Sequence, residues 1–157
     1  MRTPERPAWP TRLAPFAAGL WLLLTATVLT WYLIGQQDAD VGDGVALDYT
    51  IRPWALPYGV EHAIGIASIL GFVGVLVVAW RSWRRGSMDP RWWTVLVLCS
   101  LAGAGIGAGW RVLTAGVIGA NIGAGLIVLL GVPLLIIVVL VAVIRSITLI
   151  MRPTLFH

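Results

Sequence analysis

The stretch WWTVLVLCSLAGAGIGAGWR, from Trp92 to Arg111, decides the fold. Nineteen residues, Trp92 to Trp110, pass without a charge before Arg111. At a helical rise of about 1.5 Å each they reach about 28 Å, close to the roughly 30 Å hydrocarbon core of a bilayer. Tryptophan stands at both ends, where its amphipathic ring suits the membrane–water interface. The second half alternates glycine at 103, 105, 107 and 109. A glycine run that cradles phosphate needs a preceding strand in a βαβ unit. Here the run lies inside an apolar segment, so Gly103–Gly107 and Gly105–Gly109 read as small-xxx-small pairs that let helix backbones approach. The expected contact is mainly between spans three and four, with a second smooth face left for a neighbouring subunit.

Working outward, three more apolar runs share this character. The chain of 157 residues is 59% hydrophobic and 11% charged. A soluble domain carries about 25% charged residues, so the bilayer is the natural solvent. The expected spans are about 13–34, 62–80, 92–110 and 117–144, which form one all-α polytopic domain, a transmembrane helical bundle over 1–157. The first run is too long for a secretory signal core, and no small-residue cleavage pattern follows it, so an uncleaved span is expected. Pro4, Pro7 and Pro10 argue against helix in the preceding tail. The fourth run exceeds a straight crossing. Gly119, Gly123, Gly125, Gly131 and Pro133 predict a bend in it. In the second run Ala63, Ala67, Gly71 and Gly74 fall on one helical face and predict close packing there. Gly119–Gly123 is a further small-xxx-small pair. The segment 35–61 is too short to build its own core and is expected to fold back over the helices, with 52–58 lying at the interface.

Charge gives a direction. There are eleven basic residues, all arginine. The N-terminal tail, the 81–91 connection and the C-terminal tail hold nine of them, and the other side holds only Arg52 and Arg111. Short basic loops stay cytoplasmic. Both termini are therefore expected in the cytoplasm, in a cell-membrane protein. Basic clusters beside apolar runs suit anionic lipid headgroups, and no nucleic-acid partner is implied.

Few groups are equipped for chemistry. Arg111, directly after Trp110, reads either as an interfacial arginine that snorkels to headgroups or as the ion-pair partner of Glu61, which starts span two at a similar predicted depth, since an unpaired charge there is costly. His62 adjoins Glu61. Asn121 is the strong hydrogen-bonding side chain in a glycine-rich stretch. These four form the candidate outer polar cluster. Asp38, Asp40, Asp43 and Asp48 lack the spacing and final glutamate of a calcium loop and read as a solvated acidic loop. Cys99, the single cysteine, reads as a buried inert thiol. Thr25, Thr27, Ser68 and Ser100 can satisfy their own helices. No nucleophile–base pair, metal-ligand pattern or cofactor motif appears, so no catalytic, cofactor-binding or metal residue is assigned.

The sequence thus favours a non-enzymatic structural or accessory subunit that packs through glycine-rich faces, at Gly71, Gly103, Gly107, Gly119 and Gly123, as a homo-oligomer or within a larger membrane complex. A small oligomeric channel or carrier lined by Asn121, Thr114 and Arg111 is the second reading. An outward-facing enzyme or sensor using Glu61, His62 and Arg111 is the third.

Overall fold

A computed structural model describes residues 9–38, 49–54, 56–116 and 120–151. Asp40, Asp43, Asp48, Gly119 and Arg152 lie outside the described residues. The described chain is all-helical. Helix α1 is Trp9–Ile34, α2 Tyr58–Arg84, α3 Trp92–Leu113, α4 Ala120–Leu126 and α5 Val132–Met151. A π-helical turn, Ile127–Gly131, joins α4 to α5. These last three pieces form one long fourth segment, so four helices are long and apolar enough to cross a membrane. This is the architecture of a multi-pass membrane protein.

The ends follow local chemistry. Helix α1 begins earlier than the prolines implied, because Pro10 sits in the first turn, where its missing N–H has no partner to lose. It stops at Gly35, whose φ of +68° breaks the helix at little cost. Helix α2 closes with a Schellman motif. Gly86, at φ +70°, donates to the Trp83 carbonyl, and Ser87 donates to that of Ser82. Asp89 then starts α3: its carboxylate accepts the Arg91 N–H at 2.8 Å and its carbonyl the Trp92 N–H at 3.0 Å.

The bend expected in the fourth segment takes the form of the π turn. The Val132 N–H reaches five residues back, to the Ile127 carbonyl. Pro133 follows at once. It has no N–H for the carbonyl four residues before it, and the widened turn absorbs that misfit.

The helices pack in a row: α2 against α1, α1 against α3, and α3 against α4, the π turn and α5. Helices α1 and α3 are not consecutive, and they run parallel. Their contact is a ladder with a four-residue step. Gly19 lies opposite the Cys99 sulfur, Gly103 against the Leu23 carbonyl and Gly107 against the Thr27 carbonyl. A Cβ on Gly103 or Gly107 would overlap those carbonyl oxygens. The partner of the Gly103–Gly107 face is thus α1, where the sequence suggested span four. The fourth segment meets the other glycine face instead. A Cβ on Gly105 would stand 3.9 Å from Leu135, and one on Gly109 3.8 Å from Ile127. Gly123 faces Val112 of α3.

Helix α2 also turns differently from its small-residue pattern. Gly65, Ser68 and Ala79 are buried, and Gly71 faces Thr25 and Trp21 of α1. Ala63, Ala67 and Gly74 are exposed. The Tyr32 ring explains the rotation: it lies flat on Gly65, where any Cβ would collide with it. Thr25, Thr27, Ser68 and Ser100 each donate to a carbonyl three or four residues back, which removes their hydrogen-bonding demand from the packing surface. Leu22, Trp92, Val95, Leu96 and Cys99 form the core at the end opposite Arg111.

The glycine ladder makes a graded prediction. In detergent, Gly103→Ala and Gly107→Ala should each lower unfolding stability by about 1–3 kcal/mol, the usual cost of overpacking. Gly105→Ala meets only ordinary contact and should be neutral, or stabilising by about 0.5 kcal/mol through helix propensity. Denaturant titration followed by circular dichroism measures both, and equal effects at all three positions would refute the α1–α3 backbone contact.

Candidate functional site

The ladder has a fourth rung. Four residues beyond Gly107 on the same α3 stripe comes Arg111, and four beyond Thr27 on α1 comes Trp31. The Arg111 Nε–H donates to the Trp31 carbonyl at 2.7 Å. That carbonyl is one of the last four of α1, which have no acceptor role within their own helix. The arginine therefore caps α1 from the side. Its guanidinium carbon also lies 4.3 Å from the Trp31 ring centroid, within cation–π range.

Two more donors complete the clasp. One terminal nitrogen donates to the Gln36 side-chain oxygen at 2.9 Å. The other donates to Glu61 Oε1 at 2.9 Å, forming an ion pair between α3 and α2. The Arg111 side chain is 5% exposed and that of Glu61 29%, so the cation is desolvated and the anion keeps some contact with solvent. The arrangement suits the helix dipoles. A cation sits at the carboxyl ends of α1 and α3, and an anion in the first turn of α2. Pro57 fixes that first turn, its carbonyl accepting the N–H groups of Val60 and Glu61.

Gln36 carries the network away from the arginine. Its amide nitrogen donates to the Thr114 carbonyl at 2.8 Å and to Asp38 Oδ1 at 2.9 Å. Asp38 Oδ1 also accepts the Gly116 N–H at 3.1 Å, as does the Gln37 carbonyl at the same length. Gln37 in turn donates to the Ile34 carbonyl, a second orphan at the end of α1. The 49–54 segment docks on the same end through the Ile51 N–H and the Leu113 carbonyl, 3.0 Å. Tyr49 lies over Gly116, where a Cβ would meet its ring at 2.6 Å. Burial first, then the neighbouring Asp38 carboxylate, pushes the Tyr49 phenol above its usual range. Trp54 meets Trp110 edge-on, with ring centroids 6.2 Å apart.

The four residues of the expected cluster separate. Arg111 and Glu61 come together. His62 stands beside them in sequence but turns into an aromatic group, 3.8 Å from the Tyr58 ring and 5.6 Å from that of Tyr32. Its Nδ1 lies 3.0 Å from the Tyr58 carbonyl, which fixes the proton on that nitrogen. Asn121 is exposed in α4 and makes no hydrogen bond to this group among the described residues. Trp31 and Gln36, which the sequence did not single out for this site, complete it, and Thr114, expected beside Arg111 as cavity lining, enters through its backbone carbonyl. The four-residue spacing of 103, 107 and 111 was the available signal for the first of them.

Chemically, the site is a charge held by dedicated acceptors and an aromatic face. It ties the ends of three helices and the return segment together. The chain matches no family model, no curated protein and no solved structure. Removing one partner of such a buried pair leaves the other uncompensated. Arg111→Met should therefore destabilise by about 3 kcal/mol. Glu61→Gln keeps an acceptor for the guanidinium and should cost about 1 kcal/mol. The two changes combined should cost less than their sum. Denaturant titration in detergent measures this cycle, and strict additivity would sink the coupling.

Proposed function

We propose that this chain is a non-enzymatic structural or accessory subunit of a membrane assembly, with both termini on the cytoplasmic side of the cell membrane. The observation that carries the reading is the outward face of the fourth segment. That segment is held mainly from one side, by α3. On its first turns Asn121 and Gly125, one helical turn apart, are both exposed, and nothing lies within 4 Å of where a Gly125 Cβ would stand. In a bilayer a small residue admits a second backbone, and an asparagine beside it supplies an interhelical hydrogen bond of about 1 kcal/mol.

The polar groups that other readings would use are engaged within the fold. Arg111 gives three donors to intramolecular partners, and the Thr114 hydroxyl donates to the Trp110 carbonyl. A channel or sensor would have to draw on groups already committed to joining helices. The orientation rests on the nine arginines of the tails and the 81–91 connection against Arg52 and Arg111. The two aromatic groups fit it, Trp80, Trp83 and Trp93 at one end and Trp31, Trp54 and Trp110 at the other.

Native mass spectrometry from mild detergent tests the association. The wild-type chain should be recovered in an assembly, with copies of itself or with other membrane subunits. Asn121→Leu combined with Gly125→Leu should release the monomer without lowering its own unfolding stability. A wild-type protein recovered only as a monomer would refute the reading. For orientation, a reporter fused within 40–48 should score as non-cytoplasmic.

A further inference from the structure

We propose that the gap between α2 and α3 is a binding site for an anionic phospholipid, one acyl chain lying in the gap and the phosphate on the arginines of the 81–91 connection.

The row order of the helices creates the gap. Helices α2 and α3 straddle α1 and are joined to each other at their two ends. At one end the link is the Arg111–Glu61 pair. At the other it is a tryptophan cluster, with Trp93 of α3 6.4 Å from both Trp80 and Trp83 of α2. Between these ties lies an open groove of about 390 Å³. Its floor is Ala26, Leu29 and Thr30 of α1, and its walls include Phe72 and Leu76 of α2 and Val97 and Leu101 of α3.

Shape selects the occupant. On α3 the lining runs from Trp93 to Ala104. Eleven residue steps at about 1.5 Å give about 16 Å, half of a hydrocarbon core of about 30 Å. The α1 floor carries the groove on to Thr30, level with Gly107, so that it is about 21 Å long, short of a full crossing. A transmembrane helix crosses both leaflets, and a single acyl chain crosses one. The lining is almost wholly apolar, and the Ser100 hydroxyl on it is spent on the Leu96 carbonyl.

Charge selects the headgroup. Arg81, Arg84, Arg85 and Arg91 are all exposed in the connection beside the tryptophan end of the groove, where Trp93 lines it, and make no ion pair among the described residues. Asp89, the acid of this connection, is occupied by the Arg91 backbone N–H. Arg84 is held in place by the Trp80 ring, 6.0 Å from its centroid. Exposed guanidinium groups above an acyl-sized groove favour a phosphodiester of net negative charge over a zwitterion.

The test uses the full chain, purified in detergent, delipidated and returned to nanodiscs of phosphatidylcholine containing a minor fraction of photoactivatable phosphatidylglycerol or phosphatidylcholine, the reactive group on the acyl chain. Labelling by the phosphatidylglycerol probe should exceed that by the choline probe several-fold and map to Phe72, Leu76, Val97 and Leu101. Arg84→Gln with Arg85→Gln and Arg91→Gln, all exposed, should lower the phosphatidylglycerol labelling by about fivefold per arginine and leave the choline probe unchanged. Ala104→Phe should lower both. Equal labelling by the two probes, labelling spread over the exposed faces of α2 and the fourth segment, or a cross-linked second copy seated in the groove would each overturn the proposal. The wild-type map alone decides the matter if a variant fails to fold.

Discussion

Backbone contact between two parallel, non-consecutive helices governs this structure. Gly103 and Gly107 bring α3 against the carbonyls of Leu23 and Thr27, and that approach leaves no room for α2 or the fourth segment to pass between. Hence the row, with α2 on one flank of the pair and the long final segment on the other. In a membrane there is no hydrophobic gain from bringing aliphatic helices together, because lipid is equally apolar. Close van der Waals contact has to supply the association, and glycine is what permits it.

The same stripe delivers Arg111 to its position. A charge at the end of a membrane helix usually snorkels to headgroups. Here it does the opposite and is buried, because the glycine ladder brings the end of α1 within reach and offers an orphan carbonyl, an aromatic face and a glutamine. Glu61 supplies the countercharge from α2. The polar site is thus a product of the apolar packing, and both belong to one four-residue periodicity.

The helices were legible because each apolar run had the length of a bilayer and tryptophan or arginine at its ends. The Arg111–Glu61 pair was half legible: two opposite charges sat at a similar depth beside apolar segments, but an arginine snorkelling to headgroups fits the same sequence, and the fold decides between them. The partner of the glycine stripe was not, since a smooth face carries no address: Gly103 fits a carbonyl on α1 as well as one on the fourth segment. The face that α2 turns to α1 was not legible from its small residues, because one tyrosine ring, Tyr32 on Gly65, sets the rotation and leaves Ala67 and Gly74 exposed. Gln36 looked like a turn residue following the span. Only the fold shows that its amide joins Arg111 to Thr114 and Asp38.

The clasp also has a meaning in time. Arg111 is separated from the Trp31 carbonyl by 80 positions along the chain and from Glu61 by 50. The α1–α2 pair alone therefore leaves the Trp31 carbonyl and the Glu61 carboxylate without this partner until the third helix has been made. The clasp closes late, and a chain interrupted before Arg111 lacks it altogether.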